Sequence, residues 1–222
     1  MKIALLGGSF NPLHIGHCML AETVIQELNY DKVLFVPVNV PPHKQLNDKV
    51  SAEDRFKMIE CFCKSSAEKG KDYFIAEDCE LKRGGVSYTY DTLCYVKEKY
   101  QITGKPAFIM GQETAAQFYK WHKAEEIAQM ADLILARRHP DNNGIDTKTF
   151  ENSPTGNYTN DFVDDDFEKN FKYEHIMLEN PVLPISSTEI RSRIASGKGW
   201  RYLVPEAVFQ YIIDHNLYGS KR

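Results

Sequence analysis

GGSFNPLHIGH, residues 7–17, follows the apolar run 3–6 and leads into a helix-like segment. It reads as a strand, a tight turn and a helix start. Two adjacent glycines, Gly7 and Gly8, at the end of a buried strand let the backbone turn sharply and approach a ligand with no Cβ in the way, leaving amide N–H groups to face an anion. Ser9, Phe10, Asn11 and Pro12 continue the turn, and Gly16 again permits close approach. His14 and His17 then stand at three-residue spacing on the loop and first helical turn, where both imidazoles can face one ligand. The positive end of the helix dipole disfavours a charged histidine there unless a polyanion such as a triphosphate lies opposite. The string is neither GxGxxG nor GxxxxGK[ST], so neither familiar phosphate loop is present. A lone glycine pair or a lone histidine is ordinary structure, but packing alone gives little reason for the whole string.

Outward from this turn, strand-like and helix-like segments alternate. Leu20, Val24 and Leu28 mark the first helix. The run 33–37 reads as a buried parallel strand, ending in Val38-Asn39-Val40-Pro41-Pro42-His43-Lys44, a stiffened loop that presents Asn39, His43 and Lys44. Ser51 with Asp54 resembles a capping box, and Phe56, Ile59 and Phe62 or Cys63 form the apolar stripe of the helix that follows. Residues 73–76 read as a third strand. Gly84-Gly85 turn into a helix whose start carries Ser87, Tyr88 and Thr89, with N-capping and ligand contact both open.

A fourth strand, 106–111, ends in Gly111 before Gln112, Glu113 and a helix, repeating the logic of the first turn. Trp121 then serves as core plug or stacking surface. A fifth strand, 131–136, leads to Arg137 and Arg138, and 173–178 reads as a sixth. Ile185, Ser186, Ser187, Thr188 and Arg191 open a further helix, a second anion-ready terminus with a guanidinium one turn on. The segment 206–215 forms the closing helix. The alternation predicts an α/β fold, a doubly wound parallel sheet whose ligand sits beyond the strand ends where strands one and four diverge.

A chain of 222 residues with net charge −4 suits one domain, with nothing that favours nucleic acid or membrane as a partner. Residues 141–170 stand apart: eight acidic side chains against two lysines predict a polar excursion away from any phosphate site. A C-terminal helical part covers about 187–222. Five cysteines without a CxxC pair read as reduced thiols and not as metal ligands. The first strand begins at residue 2 and no apolar run has membrane-spanning length, so neither signal peptide nor anchor is expected and the cytoplasm is the expected location. Nothing in the sequence bears on oligomeric state.

These motifs together resemble the bacterial nicotinate-nucleotide adenylyltransferases, within the HxGH nucleotidyltransferases of Rossmann-like fold. The resemblance rests on GGSFNPLHIGH (7–17), VNVPPHK (38–44), SYTYDTL (87–93), the stretch 111–127 with Trp121, Arg137-Arg138, ISSTEIR (185–191) and RYLVPEAV (201–208). It implies joining of ATP, with its Mg²⁺, to nicotinate mononucleotide by direct attack of a phosphate oxygen on the α-phosphorus. It implies catalytic roles for His14, His17, Lys44 and Arg191. It further implies ATP contacts at Gly7, Gly8, Ser9, Phe10, Gly16, Gly111, Glu113, Arg138, Ile185 and Ser187, with Ser187 and Arg191 on the leaving pyrophosphate and no protein-held metal. Asn39, Lys44, Tyr88, Thr89 and Trp121 would take the mononucleotide, Trp121 by stacking on its pyridine ring. Glu113 departs from the Asp common in the family. The acid is expected over the amide, because no free carboxylate is apparent near Tyr88-Thr89 or Trp121 while helix-start amides there accept one. Nicotinamide mononucleotide and phosphopantetheine adenylyltransferases, or a non-catalytic nucleotide sensor, are the alternatives.

Overall fold

Ile3, Ala4, Leu5 and Leu6 are all buried because β1 (Ile3–Gly8) runs through the middle of a sheet covered on both faces. The computed structural model describes residues 1–42, 50–67, 71–137 and 171–220. Its strands are β1, β2 (Lys32–Pro37), β3 (Phe74–Ala76), β4 (Ala107–Gly111), β5 (Asp132–Ala136) and β6 (His175–Leu178). They form one six-stranded sheet in the order β3-β2-β1-β4-β5-β6, and every pairing is parallel. The chain winds outward from β1 to β3, returns to lay β4 on the other side of β1, and winds outward again. The β1–β4 boundary is therefore the switch point at which a cleft opens beyond the strand ends.

Side-chain alternation along each strand divides the core in two. Ala4, Leu6, Val33, Phe35, Ala107, Ile109 and Ile134 face one layer; Ile3, Leu5, Leu34, Val36, Phe108, Met110 and Leu133 face the other. The first layer is closed by α1 (Ile15–Leu28), α2 (Ala52–Ser65), α7 (Ser187–Ala195) and α8 (Glu206–Asp214), through Val24, Met58, Ile59, Ile190 and Ile212. The second is closed by α3 (Cys79–Arg83), α4 (Thr89–Lys99), α5 (Gln112–Ala115) and α6 (Ala124–Met130), through Cys79, Leu93, Val96, Ala115 and Ile127.

Several sequence-based boundaries shift. The helix expected after Gly111 is only the turn α5, followed by a 3₁₀ turn Phe118–Lys120, and α6 starts after Lys123 at φ 56°. β6 begins at His175, two residues late. The turn after β1 is not made by its glycines: Gly7 and Gly8 stay in register with Val36 and Pro37, and the left-handed residue is Phe10 at φ 46°. In α2 the buried stripe is Arg55, Met58, Ile59 and Phe62, with Phe56 only half-buried. Ser51 caps α2 as read, accepting from the Asp54 amide at 3.0 Å. Ser87 and Thr89 do not cap α4. All five cysteines are free thiols, and burial pushes those of Cys18, Cys63 and Cys79 up. Residues 141–170 and the loop positions His43 and Lys44 lie outside the described residues, and among those described no helix is long and apolar enough to cross a membrane.

Phe35 is fully buried on β2, and its ring centroid lies 5.7 Å from Phe10, 5.5 Å from Phe62 and 6.0 Å from Phe74. It links the turn after β1 to the floor of the core. Phe35→Ala is expected to cost about 3–5 kcal/mol in urea unfolding, and Phe74→Ala, half-buried at the sheet edge, clearly less; an equal loss in the two variants would contradict this packing order.

Candidate active site

A cavity of about 660 Å³ lies over the carboxyl ends of β1, β2, β4 and β5, a size suited to a small-molecule ligand. Most of the residues singled out in the sequence meet there. Gly7, Gly8, Ser9, His14, Gly16 and His17 line its β1 side, Gly111 and Glu113 the end of β4, and Tyr88, Thr89 and Trp121 the far wall, with Ile185 closing the other flank.

On the β1 side the two histidines are stacked, ring centroids 3.7 Å apart. His14 is the N-cap of α1, its carbonyl accepting from the His17 amide at 2.9 Å, and the His14 amide donates to His17 Nδ1 at 3.2 Å. An Nδ1 that accepts places the ring proton of a neutral His17 on Nε2. His17 therefore has an N–H to offer even when uncharged. Gly16 serves the histidines themselves: a Cβ there would stand 3.1 Å from the His14 ring. At Gly111 a Cβ would meet nothing within 4 Å, so that glycine leaves open space at the end of β4.

Four predicted residues take other positions. Phe10 is buried under the turn, edge-on to the His17 ring at 4.9 Å. Asn39 belongs to the neighbouring loop, where its side chain donates to the Gly85 carbonyl at 3.0 Å and its amide to Ser87 Oγ at 3.1 Å. Ser187 donates to the Pro12 carbonyl at 3.0 Å and Arg191 to the Asn11 carbonyl at 2.7 Å, with a second nitrogen on Thr188. Neither lines the cavity; both hold the turn after β1. Lys44 and Arg138 lie outside the described residues, and the neighbouring Arg137 lines the cavity.

Trp121 stands in the far wall of the cavity. It is half-buried, packed against Phe108 and Phe118 at 5.8 and 5.3 Å between centroids. His122 stands beside it, its ring 4.7 Å from that of Tyr88.

Three features escaped sequence reading. Asn180 after β6 accepts from the Arg137 amide at 2.9 Å and donates to its carbonyl at 3.0 Å, tying two walls together. Arg55 grips two strand ends from below. Glu80 on α3 lines the cavity beside Ser87, Tyr88 and Thr89, so a carboxylate does stand near that wall. It is not free, however: the Thr92 hydroxyl donates to it at 2.6 Å, and Ser87 also bonds to it. A polar residue on a short helix that the pattern did not reveal gave no signal; only the packing of α3 against β2 and α4 brings it in.

The cytidylyltransferase-like family matches residues 5–193 of this chain. A curated "Probable nicotinate-nucleotide adenylyltransferase" of Treponema pallidum is 37% identical, covering 99% of this chain and all of that protein. A protein of the same printed name from Lactococcus lactis is 35% identical over 99% of this chain and 96% of its own length. Among solved structures, the Plasmodium falciparum nicotinic acid mononucleotide adenylyltransferase complexed with NaAD matches with a TM-score of 0.70 and 19% identity, covering 99% of this chain and 98% of that one. At that identity the likeness speaks for the fold.

Burial pushes the Glu80 carboxyl above its ordinary value of 4.5, with the Thr92 and Ser87 hydroxyls pulling the other way. The folded chain thus holds a proton that the unfolded chain releases first, and native stability falls as pH climbs from that ordinary value through the raised one. Glu80→Gln lacks this titration, so its stability relative to the native chain should increase between about pH 4 and pH 7 in urea unfolding; a gap that stays constant over the span would refute it.

Proposed function

Because the chain belongs to the cytidylyltransferase-like family and, within it, to the nicotinate-nucleotide adenylyltransferases, we infer that it joins ATP and nicotinate mononucleotide into nicotinate adenine dinucleotide, releasing pyrophosphate. One observation carries the reading to the site. A single cavity has the stacked His14–His17 pair and the start of α1 at one side, and Tyr88, Thr89 and Trp121 at the other, so a triphosphate and a pyridine mononucleotide can meet end to end.

In this reaction a phosphate oxygen of the mononucleotide forms a bond to the α-phosphorus of ATP while the bond from that phosphorus to the bridging oxygen breaks, and the electron pair leaves with pyrophosphate. No covalent enzyme intermediate is needed; alignment and charge neutralisation supply the rate. The first-turn amides of α1 and the Ser9 region take phosphate oxygens. His17 donates from Nε2 toward the α-phosphoryl oxygens, on which negative charge builds as the bond to pyrophosphate breaks. Its Nδ1 bond to the His14 amide fixes both tautomer and ring plane. Gly111 leaves room for the adenosine and Glu113 borders it, with Arg138 expected to contact ATP as well. Trp121 and Tyr88 flank the pyridine ring, and Thr89 with the start of α4 receives its carboxylate. Asn39 belongs to the loop tied to the start of α4, and Lys44 is expected to act on the mononucleotide. Ser187 and Arg191 serve first by holding the turn, with pyrophosphate as their expected second contact.

Mg²⁺ is expected with ATP, where it neutralises phosphate charge. The described residues contain no group of three or more His, Cys, Asp or Glu that could hold a metal, and no step above is routed through one. A supply of ATP and mononucleotide places the protein in the cytoplasm.

The reading is tested by pyrophosphate release from ATP with nicotinate mononucleotide, nicotinamide mononucleotide and phosphopantetheine in turn. Nicotinate mononucleotide should give the highest kcat/KM. An equal or better value with the amide would reassign the acceptor, and no turnover with any of them would leave a nucleotide sensor. In the same assay His17→Ala should lower kcat roughly a hundredfold, about 3 kcal/mol, with little change in melting temperature; near-normal kcat in the folded variant would remove His17 from the chemistry.

A further inference from the structure

We propose that Arg55, a residue outside the cavity, is a positioning residue that sets the turn after β1 and the loop after β2 in register for transfer; the proposal rests on the adenylyltransferase reading above. Arg55 sits in the first turns of α2 and is 2% exposed. Its Nη1 donates to the Ser9 carbonyl at 2.8 Å and its Nη2 to the Val38 carbonyl at 2.9 Å. One planar guanidinium thus spans the carboxyl ends of two adjacent parallel strands, one leading to the phosphate side of the cavity and the other to the mononucleotide side.

The grip on Ser9 has a geometric consequence. Across a trans peptide the carbonyl of one residue and the N–H of the next point in opposite directions. Holding the Ser9 carbonyl down toward α2 therefore turns the Phe10 N–H up, away from the guanidinium. Phe10 is the left-handed residue of the turn, at φ 46°, a conformation that persists in a bulky residue only where the surroundings determine it. Arg55 supplies that determination on the N-terminal side of Phe10, as Arg191 and Ser187 do at the Asn11 and Pro12 carbonyls. The base of the grip is itself fixed. α2 is capped by Ser51, and its Asp54 accepts from the Tyr211 hydroxyl of α8 at 3.0 Å. A buried cation near the positive end of a helix dipole gains nothing from the helix, and the two carbonyls offset part of the cost of burying it. The fork matters as much as the charge: an ammonium reaches one of the two carbonyls well, not both at fixed geometry.

The test measures kcat, both KM values and the melting temperature for Arg55→Lys and Arg55→Gln, assayed well below melting. Displacement of the reacting groups by about 1 Å can cost roughly a hundredfold in rate. Arg55→Gln should therefore lose kcat on that order while the KM values move by less than about fivefold and the protein remains folded, and Arg55→Lys should recover part of the loss. A folded Arg55→Gln with native kcat overturns the proposal. So does a kcat loss in Arg55→Gln with no recovery at all in Arg55→Lys, or failure of both variants to fold, which would make Arg55 a prop of the fold alone. Native chain that turns over no acceptor in the same assay sinks the adenylyltransferase reading and this proposal together, whereas native turnover with an indifferent Arg55 sinks only the proposal.

Discussion

Three carbonyls of the turn after β1 are turned inward onto side chains. Arg55 takes Ser9, Arg191 takes Asn11, and Ser187 takes Pro12. The Tyr218 hydroxyl adds a bond to the Asn11 side chain. Buried backbone oxygens left without donors would cost about 1–3 kcal/mol each, and such a turn would refold to satisfy itself. The cavity, the histidine pair and the switch between β1 and β4 all depend on this inward arrangement.

It also explains why the C-terminal third of the chain has to be where it is. α7 brings Ser187 and Arg191, α8 buries Val208 and Ile212 against the layer that includes Phe35 and Ile59, and the last described residues bring Tyr218. The cavity wall takes Asn180, Pro181, Leu183 and Ile185 from the segment before α7, whereas α7 and Tyr218 fix the opposite side of the turn. A helix start read as an anion site acts here on carbonyls: Ser186 caps α7 by accepting from the Glu189 amide, and the neighbouring hydroxyl of Ser187 reaches the turn. The same chemistry that suits phosphate suits a strained backbone.

The far wall follows a second version of the rule. Ser87 receives the Asn39 amide and bonds to Glu80, and the Asn39 side chain reaches Gly85, so the loop after β2 and the start of α4 are one hydrogen-bonded unit. Gly84 and Gly85 at φ 69° and 64° make the approach possible where side chains would be strained. Glu80 is costly to bury as a charge, and two hydroxyls offset part of that cost. The position of the far wall therefore rests in part on a carboxylate that its own hydroxyl partners hold.

Local pattern was enough for the order of strands and helices, because buried parallel strands such as 33–37 leave continuous apolar runs and the turn residues between them have few other uses. It was enough, too, for the pairing of β1 with β4 at the switch point and for the histidines, glycines, Tyr88, Thr89 and Trp121 that gather at one cavity. It did not separate residues that face the cavity from those that hold its walls. Ser187 and Arg191 carry the same motif whether they bind phosphate or carbonyl, and only the approach of α7 to Asn11 and Pro12 brings the carbonyls within their reach. Arg55 and Glu80 gave no signal in the sequence, since burial and partners 46 and 12 residues away are not written in local spacing. Nor did the glycines mark the turn: Phe10 adopts the left-handed conformation because the groups around it, brought from four different elements, leave its peptide planes no other orientation.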